Sequence, residues 1–110
     1  AKSERYSYKA LKALSAKGFN VFPVNPALKE IAGIRVYSSL TEIAENIDTV
    51  TVYLSPERSS EIGDEISSVL PRRVIFNPGA ENPTLARRLR DEGVITLDAC
   101  TLVMLSTGEF

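Results

Sequence analysis

Four short segments carry the side chains that could meet a ligand. Ser3-Glu4-Arg5-Tyr6-Ser7 puts hydroxyls and a guanidinium into what the pattern predicts as the first turn of a helix. Free backbone N–H groups and the positive end of the helix dipole make such a turn an anion site, and Arg5 could add a bidentate phosphate contact. Capping by Ser3 with a solvated Arg5 accounts for the same residues without any ligand. Val21-Phe22-Pro23-Val24-Asn25-Pro26 ends a strand with two prolines. Proline donates no ladder bond, so this strand belongs near an edge, and the rigid Asn25-Pro26 turn either walls a purine pocket or simply ends the strand. Asn77-Pro78-Gly79-Ala80-Glu81-Asn82 joins a strand to a helix cap. There Gly79 lets a backbone approach closely and Asn77 offers both donor and acceptor, although loop geometry alone could require the glycine. Cys100 follows Asp98 at the end of the last strand. A reactive thiolate needs a basic neighbour or a helix N-terminus, so an apolar filler is the plainer role.

Composition removes whole classes of chemistry. The chain has 110 residues and no histidine, which excludes Ser-His and Cys-His nucleophilic machinery and His-based metal sites. One cysteine excludes an internal disulfide and a Cys-rich zinc site, and agrees with a reducing, cytoplasmic location. Glu81, Asp98 and the helical carboxylates include no pair whose spacing marks an acid/base couple, so no catalytic residue is assigned. Lys+Arg 13 against Asp+Glu 14 leaves no basic excess for a nucleic-acid partner. The run Arg87-Arg88-Arg90 is followed by Asp91 and Glu92 and reads as a solvated helix face. No apolar run approaches the roughly 20 residues of a membrane span, and no signal stretch opens the chain. A small soluble domain with a small-molecule ligand is expected, and a homodimer is compatible with the sequence.

The elements that must position these segments alternate in type. Residues 4–17 read as a helix with Ala10, Leu11, Ala13 and Leu14 on one stripe, capped by Ser3 and closed by Gly18. Strands are expected near 20–24, 34–37, 49–54, 73–77 and 94–98, with a turn or two of helix around 40–45. Ser55-Pro56-Glu57 starts a helix over 56–70, and Asn82-Pro83 starts another over 83–92. The tail from Cys100 to Leu105 forms a short helix or a buried turn. Such alternation predicts a doubly wound, Rossmann-like parallel sheet in three αβα layers. Ligands of these sheets bind beyond the carboxyl ends of the strands. Asn25-Pro26, Ser55-Pro56, Asn77-Pro78-Gly79 and Asp98-Ala99-Cys100 are then expected along one rim.

The succession Ser-Glu-Arg-Tyr-Ser-Tyr (3–8), Val-Phe-Pro-Val-Asn-Pro (21–26), Gly-Ile-Arg-Val-Tyr-Ser-Ser-Leu (33–40), Asp-Thr-Val-Thr-Val-Tyr (48–53), Asn-Pro-Gly-Ala-Glu-Asn (77–82) and Asp-Ala-Cys (98–100) resembles the small single-domain CoA-binding proteins. These are similar to the nucleotide-binding domain at the start of succinyl-CoA synthetase alpha chains. The resemblance implies one Rossmann-like domain over 1–110 that binds coenzyme A or an acyl-CoA, with no reaction generally assigned. It places Ser3, Arg5, Tyr6 and Ser7 on the phosphate side. Val24, Asn25, Pro26 and Lys29 fall at the adenosine end, and Ser55, Asn77, Pro78 and Gly79 complete the rim.

Three other readings stand beside it. A CoA-dependent transferase or ligase subunit would have only Cys100, Asp98 and Glu81 to work with. An NAD-type module calls for an acidic residue after the second strand, where Asn25-Pro26 stands. A pure interaction module with a vestigial cleft is the fourth. The family begins with a strand and a Gly-containing turn just before the Ser-x-Arg-Tyr-Ser segment, so the resemblance predicts that both lie upstream of Ala1. That strand would sit between 20–24 and 49–54. Strands pair about 4.8 Å apart, so those two segments are expected roughly 9–10 Å apart, with unpartnered backbone groups at Val21, Val24, Val50 and Val52.

Overall fold

The computed structural model describes residues 2–110, with side chains from Glu4 onward. Helix α1 (Lys2–Ala16) buries Ala10, Leu11 and Leu14, whose spacing of three and four residues puts them on one face. Gly18 closes it at φ +88°, the left-handed conformation that a helix end favours and an L side chain resists. The helix already contains Ser3, which is a first-turn residue and not the expected cap, and the Ser3 side chain lies outside the described residues.

The sheet is parallel, in the order β3 (Thr49–Val52), β4 (Arg73–Phe76) and β5 (Ile95–Asp98). Between β3 and β4 run α2 (Pro56–Glu61) and α3 (Gly63–Val69), and between β4 and β5 runs α4 (Pro83–Asp91). Helix α5 (Thr101–Thr107) follows β5. Side chains alternate across the pleat, so Val52, Val74 and Phe76 pack on one face with Ile66 of α3 and Leu85 and Leu89 of α4. Thr51 and Asn77 turn to the other face and meet the start of α5, and Arg73 meets Phe110 beyond its end. Helix α1 lies against α5. The result is the expected α/β arrangement, with helices on both faces of a parallel sheet.

Two expected strands come out differently. Residues 20–24 form no strand. Their chain is extended and makes one parallel bridge, Val24 to Tyr37, with Tyr37 N–H donating to Pro23 O at 2.8 Å and Asn25 N–H to Tyr37 O at 2.8 Å. Strand character needs a partner along its length, and Pro23 removes one donor in addition. The 34–37 strand shortens to β2 (Ile34–Arg35) and joins an antiparallel hairpin with β1 (Glu30–Ile31), outside the parallel sheet. Ala32 and Gly33, at φ 50° and 78°, make its two-residue turn. A 3₁₀ turn over Leu40–Glu42 follows.

The single helix expected over 56–70 breaks at Ile62 (φ −103°, ψ 12°). At Gly63 a Cβ would come within 3.1 Å of Leu85 Cδ1, so α3 and α4 approach closely there and a larger residue would need the Leu85 side chain to give by a few tenths of an ångström. Among the described residues, 20–24 and 49–54 do not hydrogen-bond to each other, and β3 pairs only with β4. Of the four valines expected without partners, Val24 bridges Tyr37, Val50 pairs with Val74, and Val52 O accepts the Asn77 N–H at 3.1 Å.

Candidate functional site

Parallel register gathers the strand ends. Val52, Phe76 and Asp98 are neighbours across the sheet, so Tyr53–Pro56, Asn77–Gly79 and Ala99–Cys100 leave it at the same end. Helices α2, α4 and α5 all start there. Ser55 caps α2 by accepting the Arg58 N–H at 3.4 Å, and Asn82 caps α4 by accepting the Leu85 N–H at 3.1 Å. The structure thus brings together three of the four segments expected on the rim.

Two asparagines hold the loop between β4 and α4 at its ends. Asn77, 1% exposed, donates through Nδ2 to Thr51 Oγ1 (2.7 Å) and Val52 O (3.0 Å), and its Oδ1 accepts the Thr101 N–H at 2.8 Å. Its amide is therefore engaged with β3 and α5 inside the protein, and what it contributes to the rim is the position of exposed Pro78 and Gly79. Asn82, 4% exposed, donates from Nδ2 toward Pro56 O (3.1 Å), Ser59 Oγ (2.8 Å) and Ser60 Oγ (3.0 Å) of α2. Between them Gly79 adopts φ +88°, and its N–H donates to Glu81 Oε1 at 2.9 Å. A Cβ on Gly79 would meet nothing within 4 Å, so the glycine serves backbone conformation and not internal packing.

The first turn of α1 lies at the end of the helix remote from the Phe19–Phe110 contact. Past the other end of α1, Phe19 packs edge-on against Phe110 at 5.2 Å, and the Arg73 guanidinium lies 4.4 Å over the Phe110 ring. Arg73 opens β4, so the C-terminus of α1 marks the edge of the sheet opposite the rim. A helix of 15 residues rises about 22 Å, enough to carry Arg5, Tyr6 and Ser7 back past the full length of the strands. Arg5 is exposed, Tyr6 carries Lys9 Nζ over its ring at 5.6 Å, and Ser7 Oγ donates back to Glu4 O at 2.9 Å.

The fourth expected segment packs on the core through Phe22 and Tyr37 without joining the ladder of the parallel sheet. Asn25 Oδ1 accepts the Ala27 N–H at 2.8 Å in a local turn, and Val24, Pro26 and Lys29 are exposed. This arm hydrogen-bonds to Tyr37 and not to the parallel sheet, and Phe22 fastens it to Tyr37 ring to ring at 6.0 Å.

Opposite the rim, Asp48 pairs with Arg72 at 2.9 Å, which holds its carboxyl down at about 2. Burial lowers the Arg73 guanidinium from its usual value. A cavity of about 170 Å³ lined by Lys17, Phe19, Leu105, Gly108 and Phe110 lies at this end too. At the rim, Tyr53 Oη is buried beside the Thr101 and Thr51 hydroxyls without a hydrogen bond of ordinary geometry. Burial pushes its phenol up, and the two hydroxyls pull the other way. Cys100 is half-buried at the start of α5 and caps no backbone group with its side chain. Among the described residues no three His, Cys, Asp or Glu side chains form a metal cluster, and no helix is long and apolar enough to cross a membrane.

Asn82 and Tyr53 are rim residues that sequence reasoning passed over. Asn82 was legible only as a helix start, because its partners Ser59 and Ser60 lie 23 and 22 positions earlier.

The family model for a CoA binding domain matches residues 1–106. The uncharacterised protein YneT of Bacillus subtilis (strain 168) is 29% identical over 101 residues, which cover 91% of this chain and 75% of that protein. A crystal structure of an uncharacterised protein superposes with a TM-score of 0.90 at 39% identity, over 98% of this chain and 88% of the other. A dinucleotide-forming acetyl-coenzyme A synthetase 1 of Ca. Korarchaeum cryptofilum, solved with phosphate and ADP, is similar in fold at a TM-score of 0.68. It shares 20% identity, over 82% of this chain and 22% of that one.

Proposed function

The chain belongs to the CoA binding domain family, and on that footing we propose that it binds coenzyme A or an acyl-CoA at the C-terminal rim of its parallel sheet, as a binding module and not as a catalyst. What supports this reading is the gathering of three in-register strand ends at one end of the sheet, where the proposed site also takes in the first turn of α1, the helix that lies against α5. The first N–H groups of a helix lack intrahelical partners and stand at the positive end of its dipole, a setting that favours a phosphate. Arg5, exposed in that turn, adds a cation. Ser3, Tyr6 and Ser7 complete the phosphate side of the proposed site.

Ser55, Pro78 and Gly79 offer a surface of small and rigid residues for the pantetheine arm, with Asn77 holding two of them in place from beneath. Val24, Asn25, Pro26 and Lys29 form the proposed adenosine end, where Lys29 supplies a cation and Pro26 an apolar face. A binding role suits the chemistry of the rim. No histidine is available, and the phenol of Tyr53 is shifted away from the range in which it would act as a base.

Calorimetry with CoA, acetyl-CoA, NAD and ATP tests this reading. CoA or acetyl-CoA is expected to bind, and at 100 times its dissociation constant to stabilise the fold by about 2.7 kcal/mol. NAD binding more tightly than CoA, or no heat with either CoA or acetyl-CoA, would overturn it.

A further inference from the structure

We infer that Asn82 is a positioning residue that locks the two halves of the rim into one ligand platform, an inference that rests on the CoA-binding reading. The loop from Asn77 to Asn82 and the start of α2 are separate pieces of chain, and each leaves the sheet from a different strand. Nothing in the parallel ladder fixes the distance between them once β3 and β4 have ended. Asn82 does so from a position that is 4% exposed. Its Oδ1 closes the first turn of α4 at Leu85 N, while its Nδ2 faces Pro56 O, Ser59 Oγ and Ser60 Oγ in the first turns of α2.

Two Nδ2 hydrogens facing three oxygens tether one helix start to the other whichever pair is engaged at a given moment. Ser59 is itself fully buried and returns a bond to Pro56 O at 3.2 Å, so the tether ends on a fixed point. Capping alone would not need this arrangement. Serine or aspartate would cap α4 as well as asparagine, and neither would supply the amide donors. The side-chain type at 82 is thus explained by the bridge between loops.

A ligand that spans the rim benefits from such a bridge more than one that touches only one side. Two contacts held at a fixed separation act as one preorganised surface, and loosening that separation costs the long ligand the most. The residue therefore favours an extended ligand over its fragments, which gives it a signature that a purely structural residue lacks.

The test compares wild type with Asn82→Ser and Asn82→Asp, each of which retains a cap for Leu85 N–H. Affinities for CoA, for pantetheine and for adenosine 3′,5′-bisphosphate are measured by calorimetry well below the melting temperature. Amide hydrogen exchange is followed at Gly79, Ala80 and Glu81. Roughly tenfold weaker CoA binding is expected in both variants, with the two fragments changed less than twofold and exchange accelerated across 79–81. Should Asn82→Asp fail to fold, Asn82→Ser, which buries no charge, decides alone. Equal losses for CoA and for its fragments, or unchanged CoA affinity beside a lower melting temperature, would reduce Asn82 to a fold residue and overturn the inference. A wild-type chain that binds no CoA overturns the CoA reading instead. Exchange at 79–81 then decides the positioning role, and unchanged exchange in Asn82→Ser would end it.

Discussion

Replacing Asn77 by alanine distinguishes a residue that shapes the rim from one that touches a ligand directly. The side chain is 1% exposed and makes three bonds, to Thr51 Oγ1, Val52 O and Thr101 N. Two of these losses are cushioned. Thr51 Oγ1 keeps its 2.8 Å partner Thr101 Oγ1, and Val52 O keeps the backbone N–H of residue 77. The Thr101 N–H is not cushioned, because it belongs to the first turn of α5 and no carbonyl precedes it there. A typical bond contributes about 1 kcal/mol net and an orphaned buried donor costs about 1–3 kcal/mol, so Asn77→Ala is expected to destabilise by about 3 kcal/mol.

That is a large share of the roughly 5–15 kcal/mol available to a domain of this kind. It corresponds to a fall in melting temperature of about 12–24 °C. Urea unfolding followed by far-UV circular dichroism measures it directly, with an unchanged m-value showing that the effect lies in the folded state. A loss below about 1 kcal/mol, in the range of ordinary surface substitutions, would mean that the Asn77 amide does not join β3, β4 and α5.

Arg5→Ala should weaken CoA about tenfold, the lower end of a charge-assisted bond, while the melting temperature of the free protein stays within a degree or two. Equal affinities by calorimetry would remove Arg5 from the proposed phosphate side. Gly79→Ala meets no steric barrier, yet must hold an L residue at φ +88°, so it should cost about 1–2 kcal/mol. An unchanged urea midpoint would refute the left-handed turn at Gly79. Asp48 has a folded pKa of about 2 against 3.8, so its contribution is present above pH 3.8 and is lost as pH falls through about 2. Asp48→Asn should therefore be less stable than wild type at neutral pH, by at most about 1 kcal/mol because the pair is solvent-screened. That difference should close at low pH, and one that widened on acidification would contradict the sign.

Local information was enough for much of the fold. Helix α1, the Ser55-Pro56 and Asn82-Pro83 helix starts, and strands β3, β4 and β5 all follow from residues within a few positions of one another. Apolar spacing, caps and β-branched runs act over one turn or one pleat, and they can be read one segment at a time. From strand–helix alternation the parallel sheet follows, and from the parallel sheet follows the gathering of strand ends at one rim. The resemblance to CoA-binding proteins stood on motifs of the same short range.

What lay beyond local reading is whatever depends on a partner far along the chain. Residues 20–24 have the composition of a strand and are not one, because a strand is a property of a pair and, among the described residues, Tyr37 alone bridges to them. The hairpin at Glu30–Arg35 turns on Ala32 at positive φ, a conformation that alanine's side chain disfavours and its sequence does not announce. Asn77 showed its capacity to donate and accept but not to whom. Its partners Thr51 and Thr101 are 26 and 24 positions away, and Thr51 and Thr101 themselves meet across 50. Asn82 and Ser59 meet in the same way across 23 positions. Hydrogen-bond capacity is written into a residue type, whereas its fulfilment is settled only when packing brings distant donors and acceptors within about 3 Å and excludes the water that would otherwise serve them.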